Sequence, residues 1–378
     1  MATIPNVSIL MTGAGGGHLA SSESLEEAFE GRARVTLVNV LDEHARFPFN
    51  HLSDSYAPVV QIAPDLYRLA YKVVQTRFGI RVLETHAYDL LHEEMAKAIT
   101  DTAPDLVLSV HALLNAMPLR AIREAGCDAR FVSVVVDAGV PSVSWFTARA
   151  DLCCVADDGI RRLALEAGMP PARVIATGLP IRRAFVQARA LTKIEARRGL
   201  DLDPDLPLVL IAGGGAGMGR VGAMTVALSK KLAERRLRAQ IVVVAGGNRR
   251  LEQRLGRHTW PVPVRVLGFT SRMAELMAAA DVLLTKAGPG TIAEAACLGL
   301  PTLLTGFVPG QEEYNVAWAQ RMGGAIYEPV PRKAATLVAR WLELGANELT
   351  AMSATMSGMG RPDASRAVAD ACLALLER

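Results

Sequence analysis

Three stretches of this chain gather the residue types from which a polar site is built. The first is Gly13-Ala14-Gly15-Gly16-Gly17-His18. Glycines permit a sharp turn and a close backbone approach, and the exposed amides of a following helix favour anionic or polar ligands. A dinucleotide fingerprint needs glycine where His18 stands and an acid about twenty residues on, where this chain offers Asn39. His18 instead sets a titratable imidazole at the mouth of the first half, suited to taking a proton from an acceptor hydroxyl. The competing reading is a helix-capping or structural histidine.

The second stretch, Gly213-Gly214-Gly215-Ala216-Gly217-Met218-Gly219, is suited to cradling a diphosphate on backbone amides. It lacks the Lys-Ser/Thr ending of a P-loop, which disfavours phosphoryl transfer. The third and densest runs from Thr285 through Lys286, Ala287, Gly288, Pro289, Gly290, Thr291, Ile292 and Ala293 to Glu294. Pro289 and Gly290 turn the chain into a helix, Thr291 is placed to help cap it, and Glu294 falls one turn inside. One reading is a capping box. The other gives an α-phosphate to the amides and a ribose hydroxyl pair to the Glu294 carboxylate. Pro309-Gly310-Gln311-Glu312-Glu313-Tyr314-Asn315 follows as a polar helix start, with Gln311, Glu312 and Asn315 suited to sugar hydroxyls or to a solvated cap. Elsewhere His92-Glu93-Glu94 lacks the second zincin histidine and no Gly-x-Ser-x-Gly is present, so redox, protease and esterase chemistry find no support.

The elements that must position these residues are legible as alternation. Short apolar, β-branched runs (Val7–Thr12, Val35–Val40, Leu106–Val110, Phe131–Val136, Leu208–Ala212, Ile241–Ala245, Val264–Leu267, Val282–Thr285, Thr302–Leu304) alternate with longer helical patterns, which predicts parallel sheets with crossover helices. The rhythm breaks near 178–207 at Gly178-Leu179-Pro180 and again at Asp201, Asp203, Pro204, Asp205 and Pro207. The expected organisation is an acceptor-binding domain over 1–190, a sugar-nucleotide domain over 191–361, and a last helix over 362–378 that returns to the first domain. Each half opens with an apolar strand running into a glycine cluster and a helix. The fold class expected is α/β, two doubly wound Rossmann-like domains facing across a cleft.

Residues 46–90 depart from this pattern, with seven aromatics (Phe47, Phe49, Tyr56, Tyr67, Tyr71, Phe78, Tyr88) among Arg46, Arg68, Lys72, Arg77 and Arg81. They read as helices turned toward the core, as a surface resting on anionic membrane, or as both. With 41 basic and 38 acidic residues the net charge is +3, which gives no bulk electrostatic case for nucleic acid. Five cysteines without zinc spacing suit a reducing cytosol. The start of the chain lacks a signal-peptide pattern, and no apolar run reaches the roughly 18 residues of a membrane span.

The chain resembles the monogalactosyldiacylglycerol synthase group of glycosyltransferase family 28, which has the GT-B fold and is related to the peptidoglycan N-acetylglucosaminyltransferase. The resemblance runs through Gly15-Gly16-Gly17-His18, Ser109-Val110-His111, Asp137 to Trp145, Gly178-Leu179-Pro180-Ile181-Arg182, the second glycine cluster, Gly268-Phe269, Lys286 to Glu294 and Pro309 to Glu312. It implies inverting transfer of a hexose from UDP-galactose or UDP-glucose to diacylglycerol, at the inner face of the cell membrane and without cofactor or metal. It implies that His18 is the general base and that Glu294 holds the ribose; Asp137, which ends a strand at the same cleft edge, is the alternative base. Arg182, Gly214, Gly215, Gly217 and Met218 then surround the diphosphate, Gly268 and Phe269 form the uracil turn, Gly288, Pro289, Gly290 and Thr291 complete the nucleotide site, and Gln311, Glu312 and Asn315 meet the sugar. Gly16, Gly17, His111 and Trp145 fall on the acceptor side. The sequence departs from plant relatives after Asp137, where Pro141-Ser142-Val143-Ser144 replaces their Cys-His-Pro-Thr. Two other classes stand beside this reading: a UDP-sugar transferase acting on a polyprenyl-linked or soluble acceptor, and a nonenzymatic nucleotide-sugar-binding protein.

Overall fold

Strands buried on both faces run apolar over most of their length, and the central strands here do: Leu106–Ser109, Leu208–Ala212 and Gln240–Val244 are buried at every position, with Ser109 and Gln240 as polar ends. The computed structural model describes residues 4–13, 16–45, 49–51, 58–60 and 62–377. They divide into one unit of residues 1–182, 309–311 and 363–378 and a second of 183–308 and 312–362.

The first unit carries a parallel sheet ordered β2-β1-β3-β4-β5-β6. Its strands are β1 (Asn6–Met11), β2 (Arg34–Asn39), β3 (Leu106–Ser109), β4 (Arg130–Val134), β5 (Leu152–Val155) and β6 (Val174–Ala176). β1 pairs with β2 from Asn6↔Arg34 and with β3 from Val7↔Leu106, so the order reverses between β1 and β3. The core under this sheet takes in Phe29, Phe131 and Trp145 together with Val368, Ala369 and Cys372 of the last helix, Ala364–Leu376. Ser365 Oγ fixes that helix, donating to Ile181 O (2.8 Å) and accepting from Ile181 N (3.0 Å).

In the second unit the order is β12-β11-β10-β7-β8-β9. The strands are β7 (Leu208–Ala212), β8 (Gln240–Val244), β9 (Val264–Leu267), β10 (Val282–Lys286), β11 (Thr302–Gly306) and β12 (Ala325–Tyr327). Read from β9, this is the Rossmann order, with its reversal between β7 and β10. Open parallel sheets bind ligands beyond the carboxyl ends of the strands flanking such a reversal, because helices diverge there and leave a crevice. β1 and β3 feed the segments holding His18 and His111, while β7 and β10 feed the Gly213–Gly219 loop and the Lys286–Glu294 run.

The aromatic-basic segment divides. Helix Arg77–Thr100 buries Ile80, Ala87, Tyr88, Leu91, Met95 and Ile99 along its length, whereas helix Pro64–Val74 buries no residue. Arg46, Phe47 and Tyr56 lie outside the described residues, as do the side chains of Phe49 and Arg77.

Candidate active site

In the first unit β1 ends at Met11, and helix Gly16–Phe29 begins five residues later, so His18 lies in that helix's first turn. Its Nδ1 sits 2.7 Å from Val110 O, the residue just past β3. A carbonyl oxygen can only accept, so Nδ1 carries the proton and the Nε2 lone pair is left for chemistry. Burial pushes the His18 pKa down; the Asp137 carboxylate and the Val110 bond pull the other way, and the net direction is down. The ring is therefore neutral at physiological pH, as a general base must be.

Around it stand the other acceptor-side residues. His111 meets His18 edge to face with ring centroids 4.6 Å apart, and burial, with repulsion from His18 whenever that ring is protonated, holds its pKa well below the imidazole range. His111 Nδ1 accepts from Leu113 N (3.3 Å), so its proton rests on Nε2. The departing stretch Pro141–Ser144 leads into a short 3-10 turn, Val143–Trp145, capped by Ser142. That turn delivers the fully buried Trp145, whose indole N–H donates to Asp137 Oδ2 at 2.7 Å. Asp137 thus acts on His18 as a held charge.

Gly16 and Gly17 are exposed at the helix start, and a Cβ on Gly17 would meet nothing within 4 Å. Gly13, two residues past β1, donates its N–H to Asp42 Oδ2 at 2.7 Å, a support the sequence did not reveal. Thr12 Oγ1 and Asp42 Oδ1 are buried there with no hydrogen-bond partner among the described residues.

In the second unit the Gly213–Gly219 loop closes on itself through Gly217 N to Gly214 O (3.0 Å) and Met218 N to Gly213 O (2.9 Å). Gly217 has φ +59°, and a Cβ there would lie 2.0 Å from Ala245 O, so no other residue fits. Helix Pro289–Cys297 follows β10 with Gly288 at its N-cap and no side-chain cap. Thr291 therefore does not cap it, and the capping-box reading fails because Glu294 lies five residues after Pro289, too deep for that role. Helix geometry leaves the first-turn amides of Gly290 and Thr291 without intrahelical acceptors. Glu294 is buried just below them.

Asn315, 1% exposed, donates Nδ2 to Ala287 O (2.9 Å), and its Oδ1 finds no partner among the described residues. Glu312 binds Lys286 Nζ through Oε1 and Val308 N through Oε2 (2.9 Å). Its Lys286 partner was not among the expected site residues. Gly268 packs on Glu252, and Phe269 is 80% exposed, unusual for an unpartnered aromatic. β9 lies two strands from β7, about 10 Å at ordinary strand spacing. Arg182 is half-buried at the end of the first unit, and Gln311 is half-buried beside Glu312.

Two parallel-sheet α/β units, each with its polar residues at the reversal of strand order, define a protein of the GT-B fold class. A solved structure of the same fold is MurG from Acinetobacter baumannii, alike over 98% of this chain and 100% of that one with a TM-score of 0.58 at 15% identity. Residues 18–181 match the monogalactosyldiacylglycerol (MGDG) synthase family and residues 208–367 the glycosyltransferase family 28 C-terminal domain. A probable monogalactosyldiacylglycerol synthase 2 of Oryza sativa subsp. indica is 38% identical over 373 residues, 96% of this chain and 79% of that one. Monogalactosyldiacylglycerol synthase 1 of Arabidopsis thaliana is 33% identical over 367 residues, 95% of this chain and 68% of its own length. The chain belongs to the monogalactosyldiacylglycerol synthase family, as its motifs led us to expect.

Proposed function

We propose that the protein transfers galactose from UDP-galactose to the free hydroxyl of diacylglycerol with inversion, forming a β-linked glycolipid at the inner face of the cell membrane. Family membership supports the reaction class, and the names of the relatives support galactose and diacylglycerol. The observation that carries the mechanism is the fixed tautomer of His18.

Nε2 takes the hydroxyl proton as the acceptor oxygen attacks the anomeric carbon, and the bond to the β-phosphate oxygen breaks with its electron pair leaving on UDP. Asp137, anchored by Trp145, stabilises the imidazolium that forms. On the donor side Phe269 offers a ring for uracil, Glu294 takes the ribose hydroxyls, and first-turn amides meet the phosphates, without a cofactor or metal.

A membrane surface as partner is supported by helix Pro64–Val74. Its Leu66, Leu69 and Val73 follow helical spacing and are exposed, Leu66 at 65%, and Val59 and Ile62 (84%), ahead of the helix, are exposed too. Phe78 (79%) extends the stripe, and Arg68, Lys72 and Arg81 are exposed beside it. Such a face suits insertion among headgroups, with cations on anionic lipid. Among the described residues no helix is long and apolar enough to cross a membrane. The five cysteines are free, which suits a reducing compartment.

Incubation with diacylglycerol liposomes and a panel of radiolabelled UDP-sugars tests the reading. Labelled glycolipid from UDP-galactose is expected. Transfer only to a polyprenyl-linked or soluble acceptor would refute the lipid assignment, and UDP binding without product would refute the enzyme.

A further inference from the structure

The second unit holds a cation that none of the assigned roles uses. Lys286 ends β10, where pairing with β11 slips from Thr285↔Leu304 to Lys286↔Gly306. A bulge of this kind re-aims the side chain that follows it. A Cβ built on Gly214 would lie 3.2 Å from Lys286 Cε and 4.0 Å from Nζ, and one built on Gly288 would lie 2.9 Å from Nζ. The ammonium therefore rests against both glycine turns, at the reversal between β7 and β10 and beside the first turn of helix Pro289–Cys297.

An ammonium has three N–H donors, and among the described residues Lys286 spends one, on Glu312. The side chain is 16% exposed and its Glu312 partner 8%, so the remaining donors have little water to turn to. Both Glu312 oxygens are engaged, one by Lys286 and the other by Val308 N. A cation with open donors, wedged between two glycine turns that exclude side chains, is a receptor for phosphate oxygens.

We propose that Lys286 binds the diphosphate of the sugar nucleotide and takes up the charge of the departing UDP, with Glu312 as the counter-ion that holds it in place between turnovers. This rests on the proposed UDP-sugar reaction and adds a residue to it. Lys286 keeps its bond to Glu312 and directs its open N–H groups at the phosphates. As the anomeric C–O bond breaks, the electron pair moves to a β-phosphate oxygen one hydrogen bond from the ammonium. Glu312, expected from the sequence to meet sugar hydroxyls, is first a positioning residue for Lys286.

The test is calorimetric titration of the full chain and of Lys286→Met, Lys286→Arg and Lys286→Met/Glu312→Gln with UDP and with UMP. The double variant removes both charges together, so no lone carboxylate is left buried if the single variant fails to fold. Loss of charge-assisted bonds to the terminal phosphate is expected to weaken UDP by about 10- to 100-fold. UMP, lacking that phosphate, should weaken less, so the preference for UDP over UMP collapses; Lys286→Arg should recover part of it. Equal weakening of both nucleotides, or a double variant that prefers UDP as the parent does, would overturn the assignment of Lys286. A parent protein that binds neither nucleotide would overturn the UDP-sugar reading and this inference with it.

Discussion

Gly290→Ala separates packing from function at the start of helix Pro289–Cys297. Gly290 is the second residue of that helix, its backbone is outside the left-handed region, and a Cβ there would meet nothing within 4 Å. Nothing in the chain itself requires glycine. Alanine is the better helix former by up to about 1 kcal/mol, and by roughly half that near a helix end. With about 2–4 °C per kcal/mol for a unit of this size, the melting temperature should rise by about 1–4 °C. On the proposed donor site a phosphate enters this space, and a methyl group there has the opposite effect on binding. Overpacking typically costs about 1–3 kcal/mol, and the added carbon should weaken UDP by about 5- to 150-fold. Scanning calorimetry and UDP titration on the same preparation read both numbers. Higher stability with unchanged UDP affinity would show that no ligand approaches this helix start, and a fall in melting temperature would show that the space is not open.

The same reasoning makes Gly217→Ala destabilising: φ +59° and a Cβ 2.0 Å from Ala245 O should lower the melting temperature of the second unit by several degrees, read by circular dichroism. Replacing His18 by Ala should reduce kcat by about 10²- to 10⁴-fold with KM for the donor little changed. With His18 as the proposed base the neutral ring is the active form, so kcat/KM should rise with pH through a midpoint below the usual imidazole value. Asp137→Asn removes the charge that pulls this pKa upward and should move that limb to still lower pH. Near-normal turnover in His18→Ala, with none in Asp137→Asn, would transfer the base role to Asp137. Leu66→Glu/Leu69→Glu places two charges on exposed positions, so its melting temperature should stay put while liposome cosedimentation falls by about 10²-fold or more; unchanged sedimentation would remove this stripe from the membrane contact.

What the sequence made legible follows from what each element needs. Central strands of a buried parallel sheet are obliged to be continuous apolar runs, so β1, β3, β7 and β10 stand out, and with them the turns that follow. β5 (Leu152–Val155), β6 (Val174–Ala176) and β12 (Ala325–Tyr327) did not. The last two are three residues long and outermost in their sheets, too short for an alternation to register. The divided character of residues 46–90 also escaped resolution, since Tyr88 and Phe78 have the same apolar ring and only the packing tells the buried one from the exposed one.

The two supports that went unseen, Asp42 and Lys286, share a cause. A motif read along the chain reports neighbours in sequence, and both residues act on partners elsewhere: Asp42 on Gly13, Lys286 on Glu312 and Gly214. Lys286 stood inside the most informative run of the chain, yet alternation along an unbroken strand would assign its side chain a face by parity with Thr285. The slip in register between those two residues cancels that parity. Strand position, and so the site's location, is set by apolar burial; the aim of an individual charge is set by a local backbone irregularity that hydrophobic pattern does not encode. Residues of the first kind were readable here from sequence, and those of the second required the pairing of β10 with β11.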